Sequence, residues 1–507
     1  MNAHVPGGIR ADEADVELVN LVHPPSWSNP EPAAMYDLVV LGGGTAGLVC
    51  AVGAAGLGAR VALVEKHLLG GDCLNTGCVP SKAMLRSARA IGEFRRGPQL
   101  GIGIGVAPAD FSGVMDRMRG RRAEIARNDS AERLHGLGVE VFFGSARFEN
   151  ARAVAVGSHV LRFRRAVIAT GGRPTAPPIP GLDEISYLTN ETVFSLNELP
   201  ERLLVIGAGP IGCELAQAFA RFGSQVTVFD QASQVLPRED RDAAAIVQRA
   251  LEADGVRFEL GVTLARVDRA DGDIRVHYSR NGEREISTGS VTGNAILVAA
   301  GRAPNIEDLQ LGAAGIAANK EGVVVNDRLQ TTNPRVYASG DVCSSFKFTH
   351  AADALSRIVL QNALFFGRRK ASALVIPWVT YTDPEVAHVG VSAVDLGDTA
   401  AHIQPITISL ADVDRAVLDD DTDGFVRVYH ERGRVRGCTI VAPHAGDLIG
   451  QVTYAMQRGA TLADFSATIQ PYPTIAEGLR KAGDAYRRQS LTPGVRKWLQ
   501  RYFAWTR

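Results

Sequence analysis

Two cysteines, Cys73 and Cys78, stand five positions apart in the segment Gly70-Gly-Asp-Cys-Leu-Asn-Thr-Gly-Cys-Val-Pro-Ser-Lys82. Such a pair suits redox exchange or metal ligation, because a thiolate is both a nucleophile and a soft ligand. Gly77 between them lets the sulfurs meet if the chain bends into a helix start. Lys82 comes four residues after Cys78. A helix running through both puts them on one face, where the ammonium favours a thiolate. A buried apolar pair and half of a zinc site are the competing readings. Zinc wants two further Cys or His ligands in a compact pattern, and the neighbouring sequence has none. Of the other cysteines, Cys50 and Cys213 read as core, and Cys343 and Cys438 as structural.

Two glycine turns could hold phosphates. The first is Gly42-Gly-Gly44-Thr-Ala-Gly47, followed by a strand ending at Glu65; the second is Gly207-Ala-Gly209-Pro-Ile-Gly212, followed by a strand ending at Asp230. In both, the acidic residue lies 23 positions after the first glycine. The first glycine permits a tight turn, the second lets backbone N–H groups approach a pyrophosphate, and the third lets helix pack on strand. The carboxylate then accepts hydrogen bonds from ribose hydroxyls. Two matches with equal spacing imply two bound dinucleotides. Asp230, followed by Gln231 and with no arginine beside it, repels a 2′-phosphate, so NADH is favoured over NADPH.

The elements around these turns are β-turn-α units: an apolar strand over Asp37–Leu41 and another over Arg202–Ile206, each with a glycine turn and a helix behind it. Alternating strands and helices imply a parallel sheet with crossovers. Near Ser372 the pattern changes to antiparallel alternation, as in Gly424–Tyr429 and Val435–Val441, which fits a further α+β domain running to about Gln489. Residues 1–34 show no period and read as a flexible leader. The 507 residues suggest roughly three domains of about 150 residues. With 54 basic against 55 acidic residues there is no basic excess, which argues against nucleic acid as the main partner. The N-terminus lacks a basic segment followed by an apolar run, so no signal peptide is expected and cytoplasm is the default location. Leu38 to Ala59 is uncharged over 22 residues, about a membrane span. Seven of those residues are glycine, and strand, turn and helix is the better reading.

With those motifs in hand, the chain resembles the flavoprotein disulfide reductases from about Asp37 to Arg488, also through Ala169-Thr-Gly-Gly172, Gly301-Arg-Ala-Pro-Asn305 and Asn333-Pro-Arg-Val-Tyr-Ala-Ser-Gly-Asp341. The resemblance implies an α/β fold of two Rossmann-like dinucleotide-binding domains plus a C-terminal α+β dimerisation domain. It divides the chain into an FAD-binding domain (35–190 and 302–371), an NAD(P)-binding domain (191–301), a dimerisation domain (372–489) and a basic amphipathic tail (490–507). FAD would occupy Gly42, Gly44, Gly47, Glu65, Gly71, Thr170, Gly171, Asp341 and Ala351. NADH, or NADPH, would occupy Gly207, Gly209, Gly212, Asp230 and Gly301. Hydride would pass to the flavin and the electron pair would open a Cys73–Cys78 disulfide, with Cys78 facing the flavin as a charge-transfer thiolate and Cys73 meeting the acceptor. Lys82 and Glu214 look like the family's ion pair beside the flavin.

Thiol reductases of the family carry His-Pro-Thr-x-x-Glu near the C-terminus; here the segment is Tyr472-Pro-Thr-Ile-Ala-Glu477. As a base at neutral pH, tyrosine is handicapped against histidine by about 3.5 pH units, roughly 4.8 kcal/mol. Mercuric reductases place tyrosine here, and Tyr187 matches a second tyrosine near their metal, so the resemblance favours the mercuric-reductase-like branch. It implies a homodimer in which the Tyr472–Glu477 segment completes the partner subunit's site. The acceptor would be a small molecule or metal ion, with a dihydrolipoamide-type dehydrogenase as the nearest rival. Two departures stand out: the chain ends Tyr-Phe-Ala-Trp-Thr-Arg507 without a cysteine pair, and no cysteine precedes Cys50. In the tail, Val495, Trp498, Leu499 and Tyr502 fall at helical spacing among Arg496, Lys497 and Arg501. That pattern suits packing on the protein or its dimer mate, or a weak membrane-surface contact in an electron-transfer flavoprotein.

Overall fold

The structure, a computed structural model, describes residues 12–103, 108–281, 286–396 and 402–507. The elements that carry the site begin with α1 (Glu13–Val22), β1 (Tyr36–Leu41), α2 (Thr45–Gly56), β2 (Val61–Glu65), α3 (Gly71–Asn75), α4 (Cys78–Arg96) and α5 (Phe111–Ala126). Four strands follow: β3 (Val139–Phe143), β4 (Ala146–Asn150), β5 (Ala153–Val156) and β6 (His159–Ile168). The chain divides into two compact units, one of residues 1–207, 218–229 and 262–374, the other of residues 208–217, 230–261 and 375–507.

In the first unit a sheet runs in the order β3-β2-β1-β6, all parallel, and Val336–Ala338 also pairs β6 in parallel. Strand β1 is covered on both faces, and Leu38, Val39, Val40 and Leu41 are fully buried. A parallel strand with two covered faces is therefore apolar without alternation. One face packs on α2 and the helix Thr349–Leu364, the other on Phe142, Phe148 and Phe163. Strands β4 and β5 extend β6 as an antiparallel flap. A second parallel ladder sets Arg202–Ile206 between Gln225–Asp230 and Ala295–Val298. Two β-turn-α units, each feeding a parallel sheet, are present as the sequence implied. In the second unit, an antiparallel five-stranded sheet between Pro377 and Ala442 is backed by Ala445–Gln457 and Glu477–Gln489. Helix Pro493–Thr506 follows and buries no side chain.

The uncharged stretch 38–59 is β1, turn and α2, and no helix among the described residues is long and apolar enough to cross a membrane. The leader requires a correction. Residues 1–11 lie outside the described residues, but 13–22 form α1, which buries Leu18 and Val22 in the core of the first unit. Asp12 caps α1 by accepting from Asp15 N–H at 2.9 Å. Farther on, Asn29 both donates to and accepts from the backbone of Phe143, and Trp27 Nε1 donates to Val141 O. The segment is fixed by partners more than 100 residues away, which composition does not register.

Candidate active site

The first glycine turn and the cysteine segment are in contact. Gly42 has φ +105°, and a Cβ built there would stand 2.3 Å from Ala169 O. At Gly47 it would stand 1.8 Å from Gly42 O, so only glycine lets α2 start this close to β1. Glu65, at the end of β2, accepts from Gly43 N–H at 2.6 Å and from His67 N–H at 2.7 Å. Gly70 N–H donates to Gly43 O at 2.8 Å, and a Cβ on Gly71 (φ +58°) would stand 2.7 Å from Gly44 Cα. The cysteine segment thus leaves the rim of the cradle, where α3 carries Cys73 and α4 begins at Cys78.

Around the same rim, Thr170 Oγ1 donates to Asn305 O at 2.7 Å and Asn305 Nδ2 donates back to Thr170 O at 2.9 Å. Gly171 O accepts from Asn305 N–H at 3.0 Å. Gly301 O accepts from Thr175 N–H at 3.0 Å. Ala351 is fully buried on the helix Thr349–Leu364, whose Ser356 hydroxyl donates to Ala46 O on α2 at 3.0 Å. The Asp341 carboxyl is pushed above the usual range by burial, against the charges of Arg302, whose Nε lies at 3.8 Å, and of Lys347. A half-buried carboxylate with acceptor capacity to spare, beside a turn that excludes any Cβ, fits a group that brings hydroxyls and phosphates.

The thiols are polarised against each other. Cys78 is exposed and Cys73 half-buried. A hydrogen bond from Cys73 brings the Cys78 thiol down to about 6, helped by Thr349 and by the charge of Lys82 against the opposing effect of burial. Thr349 Oγ1 lies 3.4 Å from Cys78 Sγ. Cys73 is pushed up, first by that bond to Cys78 and then by burial. When the pair is reduced, this polarity favours a thiolate at Cys78 with Cys73 as its donor. Among the described residues no cluster of three or more His, Cys, Asp or Glu side chains could hold a metal ion.

In the second glycine turn, Gly207 has φ +110° and its Cβ would stand 2.8 Å from Ala299 O. Ala208 N–H donates to Asp230 Oδ2 at 2.6 Å, the counterpart of the Gly43–Glu65 bond. Space around Gly209 is open, as a ligand-facing position requires. Gly212 lies in the first turn of the helix Pro210–Phe222, one residue before Cys213, which is fully buried. Glu214, buried on the same helix, accepts from Tyr381 N–H at 2.9 Å.

Tyr472 is 70% exposed, and its hydroxyl donates to Asp414 Oδ2 at 2.9 Å. That bond, with the charge of Asp414, raises the phenol above its ordinary value. Glu477 is buried and pairs with Arg480 Nη2 at 2.8 Å. Within this unit Tyr472 is thus oriented by Asp414, a residue 58 positions away that sequence reading did not single out. Thr349 and Arg302 were missed as well; Arg302 bridges Asp72 at 2.6 Å and Asp341 at 3.8 Å. The only signal for Arg302 was its place in the Gly301-Arg-Ala-Pro segment.

The chain is similar to known proteins. The family model described as pyridine nucleotide-disulphide oxidoreductase matches residues 36–355, and the one for the dimerisation domain of those enzymes matches 376–483. The chain is 34% identical over 458 residues to a mercuric reductase of Bacillus cereus, covering 90% of this chain and 72% of that protein. It is 32% identical over 471 residues to a dihydrolipoyl dehydrogenase of Thermus scotoductus, covering 90% and 98%. Among solved structures, the HOCl-induced flavoprotein disulfide reductase RclA from Escherichia coli is 29% identical with a TM-score of 0.78, covering 89% of this chain and 99% of that one. Its Cu(II) complex superposes with a TM-score of 0.79, covering 89% and 100%.

Proposed function

From the premise that the chain belongs to the pyridine nucleotide-disulphide oxidoreductases, enzymes that use FAD and NAD(P)H, we propose that it reduces a small thiophilic acceptor, a metal ion by preference, through Cys73 and Cys78. The observation that carries this is the polarised thiol pair at the rim of the first cradle. FAD, when bound there, relays the electron pair of the nicotinamide to the disulfide. In this reading residues 35–190 and 302–371 hold FAD, with Gly42, Gly44, Gly47, Glu65, Gly71, Thr170, Gly171, Asp341 and Ala351 as its contacts. Residues 191–301 hold the nicotinamide dinucleotide through Gly207, Gly209, Gly212, Asp230 and Gly301, and Asp230 selects NADH.

Cys78 keeps the thiolate on the flavin side, and Cys73 donates to it until the acceptor arrives. A metal ion with empty soft-ligand sites displaces the Cys73 proton and is held by both sulfurs. Two electrons leave the sulfurs as the disulfide re-forms, reducing one Hg(II) to the metal or two Cu(II) to Cu(I). Lys82 supports the Cys78 thiolate. Tyr472 and Glu477, from residues 372–489 of the partner subunit in a homodimer, line the entrance. Tyr472 stays a neutral phenol there, because Asp414 raises it, and so supplies a hydroxyl rather than a base. The names of the relatives support the metal class, mercuric reductase for one and a Cu(II) complex for another. The exposed tail helix, basic and aromatic, supports a secondary contact with an anionic membrane surface.

An anaerobic acceptor screen tests the reading. NADH oxidation is expected with Hg(II) or Cu(II) in excess thiol, and it should disappear in Cys73→Ser. Turnover of lipoamide alone, undiminished in Tyr472→Phe, would instead assign the chain to the dihydrolipoamide type.

A further inference from the structure

We infer that α1 and Arg122 of α5 hold the cysteine segment in register, with Asp15 and Arg122 as positioning residues for Cys73 and Cys78. The inference rests on the reading of those cysteines as the reacting pair. Arg122 is wholly buried, and so is the Asp15 carboxylate that its Nη2 meets at 2.5 Å. Its Nη1 donates to Asn75 O at 2.7 Å. Asn75 is the last residue of α3, between the two cysteines. The end of a helix leaves carbonyls without a partner, and this guanidinium satisfies one of them. The side chain of Asn75 completes the clamp by donating to Leu69 O at 3.0 Å and to Gly71 O at 2.8 Å.

Helix α1 grips the segment at a second point. Leu69 N–H donates to Val22 O at 3.2 Å, so the backbone is held on both sides of Cys73. Arg119, one turn before Arg122 and almost fully buried, reaches Asp12 at 3.3 Å and fastens the start of α1. A helix of five residues is too short to hold its own geometry, so external contacts must define where Cys73 points. Asp15 supplies the counter-charge to Arg122 in the interior; a buried guanidinium without its carboxylate is strongly destabilising. Helix α1 lies ahead of residue 36, where the family match begins.

The test reads the geometry of the thiols directly. Cys78 is faced by Cys73, Thr349, Lys82 and Asp72. In the reduced, flavin-loaded protein, the rate at which iodoacetamide modifies Cys78 is followed against pH by mass spectrometry, with a wild-type midpoint expected at about 6. The double variant Asp15→Leu with Arg122→Met removes both charges at similar volume, a change that buried ion pairs tolerate. It also removes the donor to Asn75. Its midpoint is expected to move toward the ordinary thiol value of about 8.5, so that Cys78 reacts on the order of tenfold more slowly at the wild-type midpoint. Arg122→Lys, which keeps the charge and a single donor, should fall between. A folded double variant with the wild-type midpoint overturns the inference. Should the double variant not fold, Arg122→Lys alone reads the same quantity with the buried charges still paired, and an unmoved midpoint there is equally fatal. The titration uses neither nicotinamide nor acceptor, so its failure leaves the acceptor proposal standing, and loss of that proposal leaves this measurement meaningful.

Discussion

At the scale of single residues, what matters is which sulfur loses its proton first. Cys78 is lowered to about 6, so its thiolate is present above that pH and lost as the pH falls through it. Reactivity should follow the same curve, rising to a plateau above about 6, while Cys73 stays protonated and slow. Cys73→Ala removes the largest cause of the lowering and Thr349→Val a lesser one. Both are expected to shift the alkylation midpoint upward, Cys73→Ala by more. A larger shift in Thr349→Val would mean that the hydroxyl, and not the neighbouring thiol, sets the acidity. The pairing Cys73–Cys78–Lys82 was legible from spacing, because four positions in a helix fix a shared face. Thr349 was not, since nothing in a lone Phe-Thr-His reports a sulfur 271 positions earlier.

At the scale of elements, the two glycine turns set how closely helix and strand approach. Gly47→Ala puts a methyl group 1.8 Å from Gly42 O, so α2 must retreat from β1. Such overpacking costs about 1–3 kcal/mol or more, and the variant should lose flavin absorbance together with thermal stability. Gly120→Ala in the middle of α5 meets nothing within 4 Å and should gain about 1 kcal/mol with flavin content unchanged. Equal gains in the two variants would show that helix propensity, not close approach, governs the first turn. These turns were readable because strand, glycine turn, helix and acid recur at fixed spacing within one stretch of sequence. Helix α1 escaped the same reading for the opposite reason. It buries Leu18 and Val22 and a carboxylate, Asp15, whose partner Arg122 stands 107 positions on, so its sequence looks like a polar linker. Asp414 was overlooked likewise, unremarkable until the fold brings it to Tyr472.

At the scale of the whole molecule, residues 376–483 match the dimerisation domain of the family, and the tail helix continues beyond them. That helix buries nothing: Trp498 is 64% and Trp505 83% exposed, with Phe503 and Tyr502 beside them. Arg496, Lys497, Arg501 and Arg507 give it a positive face with no acidic residue from 491 onward. Aromatic and basic side chains on one exposed helix are what an anionic lipid surface attracts, each cation near the surface contributing about 1 kcal/mol at low screening. Since the helix has no fully buried side chain, removing residues 491–507 should leave the melting temperature and NADH-dependent turnover at wild-type values. Sedimentation with phosphatidylserine-containing vesicles should be lost in the truncated protein, and salt should weaken it in the full-length chain. A truncated protein that still sediments would place the contact elsewhere. One that falls apart into monomers would assign the helix to the mate instead, because an apolar stripe with no cover in its own unit must find it either in lipid or in a second copy of the chain.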